Sequence, residues 1–398
     1  MTRVPTLDTF NRALAQLTAS AAAAARAQEQ IATGSRIVTP ADDPYGAAEV
    51  LLFEQNLAEL AQYSRNATNA EVRLQREEAA LASVNDLLQR SRELVLQASN
   101  ATQTQETRGF IAVELREIRA QLVDIANTEN GRGRYLFAGN RDTEVPFVAS
   151  GAAVDYVGDQ GQRQIQIGES LFVESGDSGD QIFMRVPRAN GVFTTAAANA
   201  NTGTGIVARQ SVITAGVYGG ESLTVRFTAA DAYDIVDGVG AVVASGTFAP
   251  GDAIATNGIA VEIDGQPAIG DEFTIAAAGY RDVFATLDDI ATVLESGASS
   301  DAALAQQASA LNRGLENLDQ AIGIVLETRT SVGSRLESID AQRDLNTGFE
   351  LLGREALADL RDLDYTAAIS QLSQQLTALE AAQQAFVRTQ GLSLFNVL

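Results

Sequence analysis

Apolar residues recur along this chain in columns seven residues apart, near both ends and in two long interior segments. From Tyr365 the apolar positions step by four and three through Ile369, Leu372, Leu376 and Leu379, and Phe386 resumes the stripe after polar Gln383. That spacing predicts a helix with a narrow seam, suited to packing on another helix rather than into a broad core. Residues 7–31 carry the same signature. Leu7, Phe10, Leu14, Leu17, Ala21, Ala24 and Ile31 share a stripe in which Gln28 is polar, and Pro5 stands where a proline can open a helix. Two matched seams predict that the terminal helices pair with each other. The final residues, with Leu392, Leu394, Phe395, Val397 and Leu398, are more apolar than a domain terminus usually is. Such an end calls for something to bury it.

Between the seams, Gly34 and Pro40 interrupt the helical pattern, Asp42 or Asp43 can cap the next helix, and Pro44 is tolerated in its first turn. A long helix is then predicted to about Ala101, with a column of Leu60, Ala67, Leu74, Leu81, Leu88 and Val95. Its opposing column reads as the polar set Ser64, Glu71, Glu78, Asn85 and Arg92, while Val84, Leu87 and Leu94 widen the stripe in its second half. Ile111, Leu115, Ile118, Leu122 and Ile125 mark a third helical face, after which Asn130-Gly131 signals a turn and Gly133–Gly139 reads as turn, short strand, turn.

From Arg141 to about Gly279, glycine is frequent and short β-prone runs recur: VDYVG, RQIQIG, SLFVES, QIFMRV, SLTVRF, IAVEID and DEFTIA. These predict an antiparallel β domain, and AAANANTGTG, from Ala196 to Gly205, reads as a loop dividing it in two. Helical patterning returns at Asp282 with a column of Leu304, Leu311, Leu318, Val325, Val332 and Ile339, partnered by Ala308, Leu315, Ile322 and Leu336. Gly348 and Gly353 are expected to loosen the chain before the terminal helix. The fold class expected is α+β: a long antiparallel coiled-coil stalk formed by both chain ends, with a β-rich head inserted between them. The expected domains are residues 1–42 with 350–398, a terminal helical assembly domain; 43–140 with 281–349, a long-helix stalk; and 141–280, the β-rich outer domain, divisible near 196–205.

Composition narrows the chemistry. The 398 residues carry a net charge of −23, and all 28 basic residues are arginines. A chain this acidic is repelled by phosphate backbones, which argues against nucleic-acid binding. Cys and His are both absent, which removes Cys/His zinc sites and every His-based acid–base arrangement. No apolar run approaches the length of a membrane span, and the N-terminus lacks a signal-peptide layout.

The acidic clusters read as structural. Asp177 and Asp180 lack the other ligand positions of a calcium loop and read as a solvated turn. Asp359, Asp362 and Asp364 suit an exposed face or a helix start. Gly131 and Gly133 lack the strand-then-helix context of a dinucleotide site. Nothing points to a paired-carboxylate glycosidase. No catalytic, cofactor or metal site is expected, and the chain reads as a non-enzyme.

IATGSRIVTPADDPYGAAEV, with Gly34, Arg36, Ile37, Asp42, Asp43, Pro44 and Gly46, resembles the N-terminal signature of the flagellins and their hook-associated relatives. The likeness continues at Ser64–Ala67 and Leu87–Thr102, and returns at RTSVGSRLESID and from Asp362 onward. It covers roughly the first 140 and last 115 residues. GRYLFAG, with Tyr135 and Phe137, the Pro146-Phe147 pair and the ending LSLFNVL point toward the hook-associated branch rather than filament flagellins. The resemblance implies terminal helices that fold on binding to neighbouring subunits in a head-to-tail helical lattice. It also implies export by the flagellar route without a cleaved signal, and an export chaperone over the C-terminal apolar face. The expected role is a structural adaptor between the preceding hook-associated protein and flagellin. A divergent filament flagellin, or a stalk presenting a glycan-binding head, is the alternative. The residues singled out for assembly are Leu7, Phe10, Leu14, Leu17, Arg36, Asp42, Asp43, Pro44, Tyr135, Phe137, Ile369, Leu372, Leu376, Leu379, Phe386, Leu394 and Phe395.

Overall fold

Among the described residues, three α-helices precede a β-rich middle in chain order and three follow it. The computed structural model describes residues 6–395, with side chains at Asp8 and over residues 10–388. Leu392 and Leu394 with Phe395, like Leu7, have side chains outside that set, and Val397 and Leu398 lie outside the described residues. Helices α1 (Thr6–Thr33), α2 (Pro44–Ala98) and α3 (Gln105–Ala126) come first. Fourteen strands follow, then α4 (Val283–Glu295), α5 (Asp301–Arg361) and α6 (Tyr365–Phe395). The chain divides into two units, Met1–Arg65 with Gln342–Leu398 and Asn66–Ala341.

In the second unit, α2 and α5 run antiparallel, tied by Arg92–Asp319 at 2.6 Å and Arg329–Glu78 at 2.6 Å. The predicted columns are its core: Ala67, Leu74, Leu81, Leu88 and Val95 from α2 meet Leu311, Leu318, Val325, Val332 and Ile339 from α5, all buried. The partner column of α2 differs from expectation. Ala70, Glu77, Val84, Ser91 and Ala98 are the second buried set, one residue earlier than the polar column read from the sequence. Both columns keep heptad spacing with the Leu74 column, so periodicity alone does not choose between them, and the observed one places Glu77 inside.

The glycines at 348 and 353 do not break the helix: α5 continues through both for 61 residues. One glycine costs a helix only about 1 kcal/mol, and Gly353 allows close approach, since a Cβ there would meet Leu57 Cδ2 at 3.1 Å. The break falls instead at 362–364, where Asp364 Oδ1 accepts the Thr366 and Ala367 N–H groups and caps α6.

The first strands are short hairpins, β1 (Phe147–Ser150) with β2 (Ala153–Tyr156) and β3 (Gln164–Gln166) with β4 (Phe172–Glu174). QIFMRV is not a full strand: Asp180–Met184 forms a single π-helical turn before the two-residue β5 (Val186–Pro187). Phe147, Ile182, Phe183 and Val186 join the helical core. Nor does GRYLFAG form a strand, only an isolated bridge between Glu129 and Tyr135.

Beyond them lie β6 (Phe193–Ala197), β7 (Ile206–Val212), β8 (Leu223–Ala229), β9 (Ala232–Asp237), β10 (Val242–Thr247), β11 (Ala253–Thr256), β12 (Ile259–Asp264), β13 (Glu272–Ala277) and β14 (Tyr280–Arg281). One antiparallel sheet has the order β10-β9-β8-β13-β6, and a second β11-β12-β7. Alternation puts Leu223, Val225 and Phe227 inward on β8, with Phe273 and Ile275 on β13. The Ala196–Gly205 loop does not separate two β units. It joins β6 of the larger sheet to β7 of the smaller, and both sheets share one apolar cluster that begins at Phe193.

Candidate assembly site

The connector between α1 and α2 folds into a tied corner for local reasons. Gly34 ends α1 with φ +70°, a left-handed conformation that favours glycine. The turn then returns as an irregular segment hydrogen-bonded to the α5–α6 junction. Arg36 N–H donates to Arg361 O at 2.7 Å, Leu363 N–H to Gly34 O at 3.0 Å, and Ser35 bridges Asp362. The Arg36 guanidinium donates to Leu360 O at 3.0 Å and reaches Asp43 at 3.3 Å.

Two adjacent carboxylates divide the work of the corner. Asp42 accepts from the Thr39 N–H at 2.8 Å and its hydroxyl at 3.0 Å, and these bonds hold its carboxyl below the ordinary range. Asp43 Oδ1 accepts the Gly46 N–H at 2.9 Å, so Asp43 caps α2 and Pro44 is its first residue. The signature residues therefore lock the chain ends together through backbone bonds from both halves of the sequence.

Along α1 and α6 the two seams meet antiparallel, with the Phe10 and Phe386 rings 5.4 Å apart. Each helix turns one predicted column to its partner and leaves the other outside. On α1 the covered face holds Leu17, Ala24 and Ile31 with Ala13, Ser20 and Ala27. On α6 it holds Leu372, Leu379 and Phe386 with Ala368, Gln375 and Ala382. Leu14 remains 44% exposed, Ile369 56% and Leu376 40%. Ala21 is exposed too, while Tyr365, at the start of the covered α6 column, is half exposed with its hydroxyl over Gly34.

GRYLFAG lies elsewhere, in the second unit. Phe137 has no exposed surface: it packs edge-on against Phe183 at 5.4 Å. It is a core residue, which corrects its expected place on a contact surface. Tyr135 is half-buried, its N–H donating to Asp142 O at 2.8 Å.

Sequence reasoning missed a buried charge cluster where the hairpins meet the helices. Glu77 is fully buried on α2. Its Oε1 accepts the Asp177 N–H at 2.9 Å, and its Oε2 has no partner. Burial first, and the Asp177 charge second, push its carboxyl up to about 8. Arg335 on α5 binds Asp177 at 2.8 Å and Glu174 at 2.7 Å, while Arg73 donates to Leu136 O at 3.0 Å. Asp142, also buried, receives Arg134 at 2.7 Å and Arg163 at 3.1 Å. Asp177 is thus a buried ion-pair member and not a solvated turn. The legible signal was a glutamate standing in a seam column. Among the described residues no His/Cys/Asp/Glu group could hold a metal ion, and no helix is long and apolar enough to cross a membrane.

Residues 4–142 match the bacterial flagellin N-terminal helical region. The chain is similar to flagellar hook-associated protein 3 of Escherichia coli, 28% identical over 93% of this chain and 91% of that protein. Among solved structures, FlgL of Xanthomonas campestris is 36% identical, covering 77% of this chain and 99% of its own with a TM-score of 0.73. The flagellar junction protein FlgL of Legionella pneumophila is 27% identical over 79% of this chain and 99% of its own, with a TM-score of 0.72.

Proposed function

Because the chain belongs to the flagellin family, on its hook-associated branch, we propose that its uncovered helical columns are the surfaces through which it joins the flagellum as a junction adaptor. It is a structural flagellar protein with a role at the junction. The observation that carries the finer reading is the half-used seam. The α1–α6 pair covers one apolar column on each helix and leaves Leu14, Ile369 and Leu376 to water. Stripes of large apolar residues held in water favour burial against another chain. Copies of this chain are the first occupants, in a helical lattice whose contact does not close. The preceding hook-associated protein lies at one end of that layer and flagellin at the other.

The tied corner of Arg36, Asp42, Asp43 and Pro44 sets the pairing of the two helices, so the exposed columns are presented together. Leu7 extends the α1 stripe in the sequence, and the apolar Leu394 and Phe395 follow the α6 stripe without keeping its spacing. A dedicated export chaperone covers the C-terminal stripe before assembly, and the chain leaves by the flagellar export apparatus. Its place is the extracellular junction between hook and filament, and its work is mechanical rather than catalytic. Deleting the gene tests the role: hooks should persist and filaments should be lost, while a normal filament on that strain would reject the reading.

A further inference from the structure

The second unit contains a cavity that the assembly role does not use. It has a volume of about 330 Å³, is partly open, and is lined by α4, α5, β6 and the segment entering β6. Two arginines line it, Arg188 before β6 and Arg313 on α5. Several helical arginines of this unit are answered by carboxylates, Arg92 by Asp319, Arg329 by Glu78, and Arg335 by Asp177 and Glu174, and others by amide or carbonyl oxygens, Arg108 by Gln307 and Arg119 by Ala152 O. Arg188 and Arg313 are different. Among the described residues neither side chain has an ion-pair or hydrogen-bond partner, and the Nε of each is buried without one. Burial first, and the neighbouring Arg188 charge second, push the Arg313 guanidinium down, with Glu316 and Asp289 acting the other way.

The remaining polar lining is suited to a donor-rich site. Asn317 Oδ1 is committed to the Ala189 N–H at 2.7 Å, so its remaining polar group is an amide donor. Thr194 adds a hydroxyl. The one carboxylate in the wall, Asp289, is already held by Arg281 through both oxygens at 2.8 and 2.7 Å. The turn that presents Arg188 is fixed on both sides. Arg188 N–H donates to Gly279 O at 3.1 Å, and Ala189, buried, holds φ +49°, a conformation uncommon for a residue with a side chain.

Two neighbouring guanidinium groups, neither engaged in an ion pair, are an arrangement that planar and tetrahedral oxyanions answer, through charge-assisted and often bidentate hydrogen bonds. The volume lies at the small end of ligand pockets, larger than one inorganic ion needs and small for a drug-sized molecule. We propose that the Arg188–Arg313 cavity binds a small anionic ligand through its carboxylate or phosphate group.

The test is isothermal titration calorimetry on the full-length, unassembled chain, with inorganic phosphate and citrate as probes at constant ionic strength. Saturable one-to-one binding of either probe is expected, and Arg313→Gln should weaken it at least about tenfold. Arg188→Gln, on a different element, should do the same, while Arg226→Gln, paired with Glu272 on the outer sheet, should leave it intact. A bound probe should also raise the melting temperature of the wild type but not of Arg313→Gln, and the circular-dichroism melt of each variant shows that it is folded. The proposal is overturned if neither probe saturates by about 10 mM, or if folded Arg313→Gln binds as the wild type does.

Discussion

The paired terminal helices and the α2–α5 core carry the same kind of sequence signal and reach opposite ends. In the core, Leu74, Leu81, Leu88 and Val95 are each exposed by 1% or less. In the terminal pair, Leu14, Ile369 and Leu376 repeat with the same period and keep two-fifths or more of their surface in water. The difference is how many elements surround each helix. Around α2 and α5 lie α3, α4, the hairpin that contributes Phe147 and the π-helical turn that contributes Phe183, so both columns of the heptad find cover. The described contacts of α1 and α6 are with each other and with the corner at residues 34–43, which suffices for one column apiece. A heptad states which faces favour burial; the number of available neighbours decides whether the folded chain alone can bury them.

The largest effect is expected in the covered column. Leu81→Ala leaves a cavity in a fully enclosed site and should lower unfolding free energy by about 2–5 kcal/mol. Chemical denaturation of the isolated chain measures this. A loss below about 0.5 kcal/mol would mean that the α2 column is far less enclosed than its burial indicates.

Smaller, and dependent on pH, is the contribution of the charge inside that core. Glu77 has a folded-state pKa of about 8 against an ordinary 4.5. Between those values the folded chain keeps a proton that the unfolded chain releases, so stability falls as pH rises through the window and levels off above it. Arg73 and Arg335 oppose this trend, and Asp177 reinforces it. Glu77→Gln keeps the shape and the acceptor for the Asp177 N–H but has no proton to lose. Melts taken from pH 5 to pH 8 should decline less steeply in the variant, by an amount on the order of 1 kcal/mol or more. Parallel curves for the two proteins would remove Glu77 as the titrating group.

Sequence and structure agree most where one physical cue dominates. The α2 and α5 columns were legible because period-seven apolar residues without proline have few other uses, and Asp43-Pro44 is a strong helix opening. The loosening expected at Gly348 and Gly353 failed because glycine propensity is a small term beside the packing of a 61-residue helix. Propensity also misled at QIFMRV: its apolar residues Ile182 and Phe183 do enter the core, but from a π-helical turn. At the terminal helices the apolar stripes were legible and their division was not. Assigning Leu17 inward and Leu14 outward needs the rotation of each helix about its axis, which small residues such as Ala13, Ser20 and Ala27 set by allowing close approach. The Glu77 cluster joins residues about 100 positions apart, and only the fold brings them together.

The smallest effect on the isolated chain is expected at Leu376, and there the two regions can be separated most sharply. Leu376→Asp introduces its charge on the outward column of α6, already 40% exposed. The melting of the unassembled chain should therefore change by no more than about 0.5 kcal/mol. In the assembled layer the same carboxylate would be buried without a partner, at a cost of several kcal/mol per contact. Export should survive and filament attachment should fail, read out as secreted protein with loss of motility. A variant that melts early and is not secreted would show that α6 already buries this position within one chain. Full motility would show that the outward column is not an assembly surface. Leu372→Asp, one turn away on the covered face, is the matched control: it should weaken the α1–α6 pair in the free chain, an effect that Leu376→Asp spares.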